Sequence, residues 1–118
     1  MPIPPEIQGQ KYVSLISFRK NGAAIPTPVW FGEKDGRLYV MTRSDSGKYK
    51  RIRNNPQVRI AACTMRGTIT GPEFTGTARI LPVGEHAQAR KAINKKYLAA
   101  RIPFIWRRTD AYLEISLT

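Results

Sequence analysis

The chain has 118 residues, 42% of them hydrophobic and 24% charged, and its 20 Lys or Arg against 8 Asp or Glu give a net charge of +12. Length and composition predict one soluble globular domain over residues 1–118. No stretch approaches the roughly 20 apolar residues of a membrane span, and the N-terminus lacks an apolar signal core, so we expect a cytoplasmic protein. A single Cys63 and a single His86 exclude an internal disulfide and leave no recognisable set of metal ligands.

The first third of the chain has the pattern of antiparallel strands joined by hairpins. Alternating β-branched and aromatic residues, with an Asn-Gly pair that is typical of a tight hairpin, predict three strands and two turns. The strands are predicted over 11–18, 23–31 and 37–42, and the turns over 19–22 and 32–36. Pro26 and Pro28 cannot donate ladder hydrogen bonds, which places the second strand at a sheet edge or interrupts it there.

A short basic helix is predicted next. Ser46 is a good N-cap for a helix over residues 47–54. The helical spacing predicts an inward face with Tyr49 and Ile52, and an exposed face with Lys48 and Arg51.

The rest of the chain returns to the β pattern, with one longer helix inserted. Strands are predicted over 57–64, 73–81 and 109–117, and a helix over 85–100. The apolar stripe of this helix is formed by Ala89, Ala92, Ile93 and Tyr97. About six strands with a short basic helix and one longer helix predict a mainly β fold, a small β-barrel.

The positive charge is concentrated in two segments. Residues 43–59 carry six Lys or Arg and one Asp, residues 90–108 carry seven and no acid, and the remaining residues are neutral in sum. Two cationic segments indicate a polyanionic partner such as a phosphorylated cofactor, a nucleic acid or a membrane surface. The alternative is that they are solvated faces that keep the protein soluble.

The sequence resembles a known family over most of its length. The Asn-Gly hairpin, "TPVWF", "RLYVMT" and "SDSGKYKRIRNNPQVRIAAC" are similar to the split β-barrel flavin and deazaflavin oxidoreductases, the superfamily of pyridoxamine 5'-phosphate oxidase. The pattern is most similar to the small enzymes of this superfamily that use coenzyme F420. The resemblance implies an FMN-binding-like split barrel and hydride transfer between reduced F420 and a small unsaturated or quinone-like substrate.

The resemblance also implies a position for the cofactor phosphate. In this family it is held at the end of the third predicted strand and the start of the basic helix, where free N–H groups and the helix dipole favour an anion. The residues carried over to this site are Thr42, Arg43, Ser44, Ser46, Gly47, Lys48, Lys50 and Arg51. F420 has an acidic tail as well as a phosphodiester, and the cations of residues 90–108 would extend the basic track.

The cofactor ring is expected along the proline-containing strand. The segment that resembles the ring-binding segment of the family is formed by Pro26, Thr27, Pro28, Val29 and Trp30, and a strand freed from pairing presents carbonyls and remaining N–H groups to a ligand. Trp30 in the protein core is the alternative. The family implies a homodimer with a cofactor site at each interface, in which Trp106 covers the partner's ring or caps its own barrel.

No side chain is identified as catalytic. His86 is expected to have a surface or capping role, and Cys63 lies in an apolar strand as an inert residue. Hydride transfer depends mainly on alignment and a dry pocket.

Two alternatives to the F420-dependent function remain. The first is an FMN-binding oxidoreductase of the same fold, and the second is a basic β-barrel that binds nucleic acid. The second is disfavoured because the aromatic residues do not interleave with the cations.

Overall fold

The structure, a computed structural model, describes residues 2–96 and 109–118. Within them it contains seven β-strands, two α-helices and a 3-10 turn at Val83–Glu85. The strands are β1 (Tyr12–Phe18), β2 (Ala24–Trp30), β3 (Gly32–Lys34), β4 (Arg37–Thr42), β5 (Gln57–Cys63), β6 (Phe74–Ile80) and β7 (Ala111–Leu117). The helices are α1 (Gly47–Asn54) and α2 (His86–Lys96). Over the described residues, neither helix is long and apolar enough to span a bilayer.

The strands form one antiparallel sheet in the order β2-β1-β5-β6-β7-β4-β3. Its two edges, β2 and β3, are separated in the chain by Phe31 alone, so the sheet curls until the edges approach each other. The protein is therefore mainly β, a curled half-barrel with two helices, which confirms the predicted fold class. The edge position predicted for the strand that carries Pro26 and Pro28 is also confirmed.

The main apolar core fills the inside of the curled sheet. It contains the inward side chains of the strands together with Ile3 and Ile7 from the N-terminal segment and Ile52 from α1. A second cluster lies on the outer face, where α2 covers Tyr39 and Tyr112. The apolar stripe of α2 that the structure describes is buried, as predicted, and consists of Ala89, Ala92 and Ile93.

The turn predicted over residues 32–36 is wrong in its first half. Gly32–Lys34 is a strand that pairs with Arg37–Tyr39, and the turn is only Asp35–Gly36, both with positive φ. Gly32 explains the difference, because α2 passes so close that a Cβ atom there would lie 2.5 Å from the carbonyl carbon of Ala92. The strand is held by a contact with a distant helix, which its own sequence does not reveal.

The first hairpin is longer than the tight Asn-Gly turn that the sequence predicts. Phe18 pairs with Ala24, so residues 19–23 form the loop, and only Gly22 of the Asn-Gly pair has positive φ. The side chain of Asn21 instead accepts a hydrogen bond from the backbone N–H of Ala23 at 3.0 Å. This longer loop carries two cations, Arg19 and Lys20.

The bounds of α1 agree with the predicted helix over residues 47–54. Ile52 is buried as predicted, whereas Tyr49 is half-buried. The longer helix begins at His86, one residue later than predicted, because a 3-10 turn precedes it. Its predicted end at residues 97–100, with Tyr97, lies outside the described residues.

Candidate functional site

The site is built on the start of α1, directly after β4. Ser46 is the N-cap predicted from the sequence, and its hydroxyl accepts a hydrogen bond from the backbone N–H of Tyr49 at 3.3 Å. The hydroxyl of the buried Thr42 lies 3.0 Å from that of Ser46 and shares a hydrogen bond with it. Since Ser46 satisfies one N–H group, other N–H groups of the first turn stay free to bind an anion.

Three cations lie near one another, two on α1 and one in the first hairpin. The pKa of Lys48 is lowered from its ordinary value of 10.5, mainly by burial and secondly by the positive charge of the nearby Arg51. Burial, and next the nearby Arg19, lower the pKa of Arg51. Among the residues that the structure describes, no carboxylate forms an ion pair with any of these three. We call Arg19, Lys48 and Arg51 the cation cluster.

The exposure predicted for Lys48 and Arg51 is wrong, because both are half-buried. Arg51 turns toward the sheet, and its Nε donates a hydrogen bond to the hydroxyl of Ser17 on β1 at 2.7 Å. The guanidinium also lies against the first turn of α1, where a Cβ atom on Gly47 would be 2.7 Å from Nη1. The predicted site residue Gly47 therefore leaves room for a cation.

A hollow of about 350 Å³ opens beside the cation cluster. It lies between the first hairpin and the C-terminal end of α1 and is lined by Phe18, Arg19, Lys20, Arg51, Asn54 and Asn55. Three of these side chains are cationic and none is acidic, so the hollow favours an anionic occupant.

Arg43 and Ser44, predicted as phosphate contacts, each have a carboxylate partner already. The guanidinium of Arg43 donates two hydrogen bonds to Asp45, at 2.9 and 2.7 Å, and thereby lowers the pKa of that carboxyl. The hydroxyl and backbone N–H of Ser44 both donate to Asp110 at 2.7 Å, and these bonds lower the pKa of Asp110. A phosphate at these two residues would have to displace or approach these carboxylates.

The predicted ring segment is the open edge strand β2, on the far side of β1 from β5. Val29 is buried, Thr27 and Trp30 are half-buried, and Pro26 and Pro28 are exposed. Trp30 packs against the outer cluster, and its ring centroid lies 6.4 Å from that of Tyr12. Proline has no N–H to donate to β1, so it occupies positions whose backbone groups face away from the partner strand. The N–H and C=O of one residue in an antiparallel strand point to the same side, and the carbonyls of Pro26 and Pro28 therefore face the open edge.

The remaining predicted contacts are Lys50 and Trp106. Lys50 is exposed on α1, and Trp106 lies outside the described residues. α1 packs on β1 and β6, whereas α2 with its cations packs on β3, β4 and β7. The described part of the second basic segment, on α2, therefore attaches to different strands of the sheet from those that α1 contacts.

Sequence reasoning missed Ser17, Arg19, Lys20 and Asp110. Ser17 carries a signal in retrospect, because it is polar at a position of β1 where the alternation places Val13 and Leu15 inside. Arg19 and Lys20 were assigned only to a turn. Nothing local indicates Asp110, whose partner Ser44 is 66 positions away.

The reactive residues considered from the sequence are engaged elsewhere. The His86 ring nitrogen lies 3.2 Å from the carbonyl of Leu81, and the ring packs 4.8 Å from that of Tyr112. Cys63 is buried, which raises the pKa of its thiol. In the part of the chain that is described, no group of His, Cys, Asp or Glu is arranged to hold a metal ion.

A curled antiparallel half-barrel with a short helix between its fourth and fifth strands defines a split β-barrel protein. The chain belongs to the pyridoxamine 5'-phosphate oxidase family, since the sequence profile of that family matches residues 3–114. This confirms the superfamily that the sequence resembles. A comparison with curated proteins gave no match.

Solved structures with the same fold differ in what they bind. An F420 reductase is 20% identical, with a TM-score of 0.70 over 98% of this chain and 96% of that protein. The heme storage protein HutZ of Vibrio cholerae is 15% identical, with a TM-score of 0.71 over 100% and 90%. A heme binding protein of Mycobacterium smegmatis is 17% identical, with a TM-score of 0.72. That alignment covers 96% of this chain and 49% of the other protein. Identities this low show the fold alone.

Proposed function

We propose that the protein is an F420-dependent oxidoreductase that transfers a hydride between the reduced deazaflavin and a small unsaturated or quinone-like substrate. The observation that carries this proposal is the cation cluster, in which two half-buried cations and a neighbouring arginine have no described carboxylate partner. A partly desolvated cation without a counterion favours a bound anion. The phosphodiester of the cofactor would supply that anion.

The residues that would hold the phosphodiester are Lys48, Arg51 and the first turn of α1. Arg51 can donate two parallel hydrogen bonds to a phosphate, whereas Lys48 acts as a point charge. Ser46 and Thr42 are already bonded to each other, so their role is to fix the helix start. Arg43 and Ser44 would hold Asp45 and Asp110 in place, since Asp45 offsets the charge of Arg43 and the donors of Ser44 already bond Asp110.

The hollow at the first hairpin supports F420 over FMN. A single phosphate is satisfied by Lys48 and Arg51, which leaves Arg19 and Lys20 without an anionic partner from the ligand. The acidic tail of F420 would place carboxylates against these two residues. We place the tail here and not along α2, because α2 packs on other strands than α1 does.

The ring would lie along the open edge of β2. The carbonyls of Pro26 and Pro28 can accept a hydrogen bond from a ring N–H, and they present no donor of their own. Bound there, F420 would supply the hydride chemistry, while the chain binds and aligns it and excludes water. The proposal includes a homodimer with one site at each interface.

The first test is a titration of the purified protein with F420, FMN and hemin, followed by tryptophan fluorescence at two salt concentrations. We expect micromolar or tighter F420 binding that weakens with salt, and weaker binding of FMN. Tight FMN binding would move the protein to flavin chemistry, and tight hemin binding alone would overturn the proposal. Nucleic acid that copurifies and is removed by high salt would support the nucleic-acid alternative.

A pair of variants locates the site. Lys48→Ala should weaken F420 binding about tenfold or more, because it removes a charge-assisted contact. Lys34→Ala removes the same charge from an exposed position on β3 and should leave the affinity unchanged. Equal losses in the two variants would mean that only the net charge matters, which would contradict a site at α1.

Enzymatic activity needs a separate measurement. We expect the F420-loaded protein to oxidise reduced F420 when a quinone or an activated alkene is added, at a rate that follows the fraction of protein loaded. Tight F420 binding without turnover on a panel of such acceptors would make the protein a cofactor carrier.

A further inference from the structure

The hydroxyl of Ser17 is buried on the apolar inner face of β1. Ser17 follows Val13 and Leu15 on the inner face of β1, and all three are fully inaccessible to solvent. A hydroxyl group in the interior costs free energy unless it is hydrogen-bonded. The partner of Ser17 is Arg51, whose Nε lies 2.7 Å from the hydroxyl oxygen.

The contact holds the guanidinium of Arg51 on one side, and α1 holds it on the other. The Nη1 atom lies so close to Gly47 that a Cβ atom there would be 2.7 Å away. Arg51 thus lies between β1 and the first turn of its own helix, near Lys48. In the described part of the chain, the Nε contact with Ser17 is the hydrogen bond that the Arg51 side chain makes, and its two terminal nitrogens have no acceptor.

This arrangement separates two roles within one side chain. The Nε–H is used to fix the direction of the guanidinium, and the terminal N–H groups remain for a ligand. A long side chain that is fixed before the ligand arrives loses less conformational freedom on binding, which increases affinity. An apolar residue at position 17 would fill the core equally well but would leave Arg51 free to turn toward solvent.

We propose that Ser17 is a positioning residue, which orients Arg51 toward the anionic group of the ligand and sets the preference for a phosphorylated ligand. The inference rests on the proposed function in that it takes the anion to be the cofactor phosphodiester. Ser17 does not touch the ligand, and its effect passes entirely through Arg51.

The test compares ligands with and without the phosphate. The probes are F420, FMN and the deazaflavin chromophore that lacks the phosphate and the tail. Ser17→Ala should weaken F420 binding about tenfold and leave the bare chromophore within about twofold of the wild type, since only the anion contact is lost. Ser17→Thr keeps the hydroxyl and should restore most of the affinity. A Ser17→Ala protein that binds both deazaflavins equally less well would overturn the proposal.

A double-mutant cycle then checks the route of the effect. Arg51→Ala should weaken F420 binding at least as much as Ser17→Ala, and adding Ser17→Ala to Arg51→Ala should cost nothing further. Additive losses would show that Ser17 acts independently of Arg51.

Gly47→Ala perturbs the same guanidinium from the opposite side without removing a charge. It should reproduce the selective loss if Ser17→Ala does not fold, and an unchanged F420 affinity in Gly47→Ala would count against the proposal.

Failure of this inference differs from failure of the proposed function. If the wild type binds FMN instead of F420 with the same dependence on Ser17, the positioning role holds and the choice of cofactor is wrong. If the wild type binds F420 and Ser17→Ala binds it equally well, the positioning role is wrong and the function holds. A wild type that binds neither phosphorylated ligand overturns both.

Discussion

Among single residues, Lys48 and Arg51 are unusual because they are half-buried cations with no carboxylate partner among the described residues. Burial lowers the pKa values of both Lys48 and Arg51, and a neighbouring cation lowers each further, Arg51 in the case of Lys48 and Arg19 in the case of Arg51. A protein that needed only solubility would keep such charges in water, where they cost nothing. Nearby, Arg43 and Ser44 show the opposite choice, since each has a carboxylate partner. The contrast distinguishes cations without a described carboxylate partner from residues whose donors already bond a carboxylate.

The lowered pKa of Lys48 makes ligand binding depend on pH. A bound phosphate favours the charged ammonium and raises this pKa toward or above its ordinary value of 10.5, so binding takes up a proton wherever the free protein has lost it. F420 affinity should therefore fall as pH rises through the lowered pKa of the free protein. Calorimetric titrations between about pH 7 and about pH 10 would measure this fall.

A Lys48→Met variant is the control for this pH dependence. It should bind more weakly at neutral pH and show a flatter profile, because the titrating group is gone. The same slope in Lys48→Met and in the wild type would assign the pH dependence to another group.

The free energy of unfolding depends on pH in the opposite direction. Between the lowered pKa of Lys48 and its ordinary value of 10.5, the unfolded chain holds the proton that the folded chain has lost. Without ligand, the fold therefore gains stability as pH rises through this range.

At the scale of elements, the close contact between β3 and α2 fixes an edge of the sheet. Gly32 lies under the backbone of α2, where a Cβ atom would be 2.6 Å from the carbonyl oxygen of Ala92 and from the amide nitrogen of Ile93. Neither atom belongs to a flexible side chain, so relief requires the helix or the strand to move. The packing of α2 on the outer cluster depends on this approach.

Gly32→Ala should therefore destabilise the protein by about 1–3 kcal/mol or more, the usual cost of overpacking a rigid contact. Gly84→Ala is the matched control, since a Cβ atom at position 84 meets nothing within 4 Å. Urea unfolding followed by far-UV circular dichroism would compare the two variants. A Gly32→Ala protein as stable as Gly84→Ala would mean that α2 shifts without cost.

At the scale of the whole molecule, the curl of the sheet determines which parts of the site meet. β1 is the connecting strand, because it pairs with β2 on one edge and carries Ser17, the contact of Arg51, toward α1. The proposed ring strand thus pairs with an edge of β1, and the proposed phosphate residue Arg51 bonds a side chain of the same strand. A flat sheet would leave β2 and β3 on opposite edges of the molecule.

The proposed homodimer is testable at this scale. Sedimentation equilibrium should give a particle of twice the chain mass, and F420 should shift the equilibrium toward the dimer if the cofactor lies across the interface. A monomer whose mass does not change when saturated with F420 would contradict an interfacial site. The cation cluster would then bind the cofactor within one chain.

The sequence by itself determined the fold class and the bounds of α1 with its Ser46 cap, and it limited β2 to an edge position or an interrupted strand. These features depend on local chemistry: hydrophobic period, a capping hydroxyl, and prolines that lack N–H groups. For the same reason the sequence placed positive charge at the start of α1, where helix geometry and nearby cations suffice to predict an anion site.

Only the tertiary structure decided which of the charged residues are open to a ligand. Asp110 accepts hydrogen bonds from both donors of Ser44 from 66 residues away, and Ser17 accepts one from Arg51 from 34 residues away. The same holds for β3, which is predicted as a turn and becomes a strand through its contacts with β4 and α2. In each case the deciding partner is distant in sequence and is brought close by the tertiary fold, so the pattern around Ser44, Arg51 or Gly32 does not identify that partner.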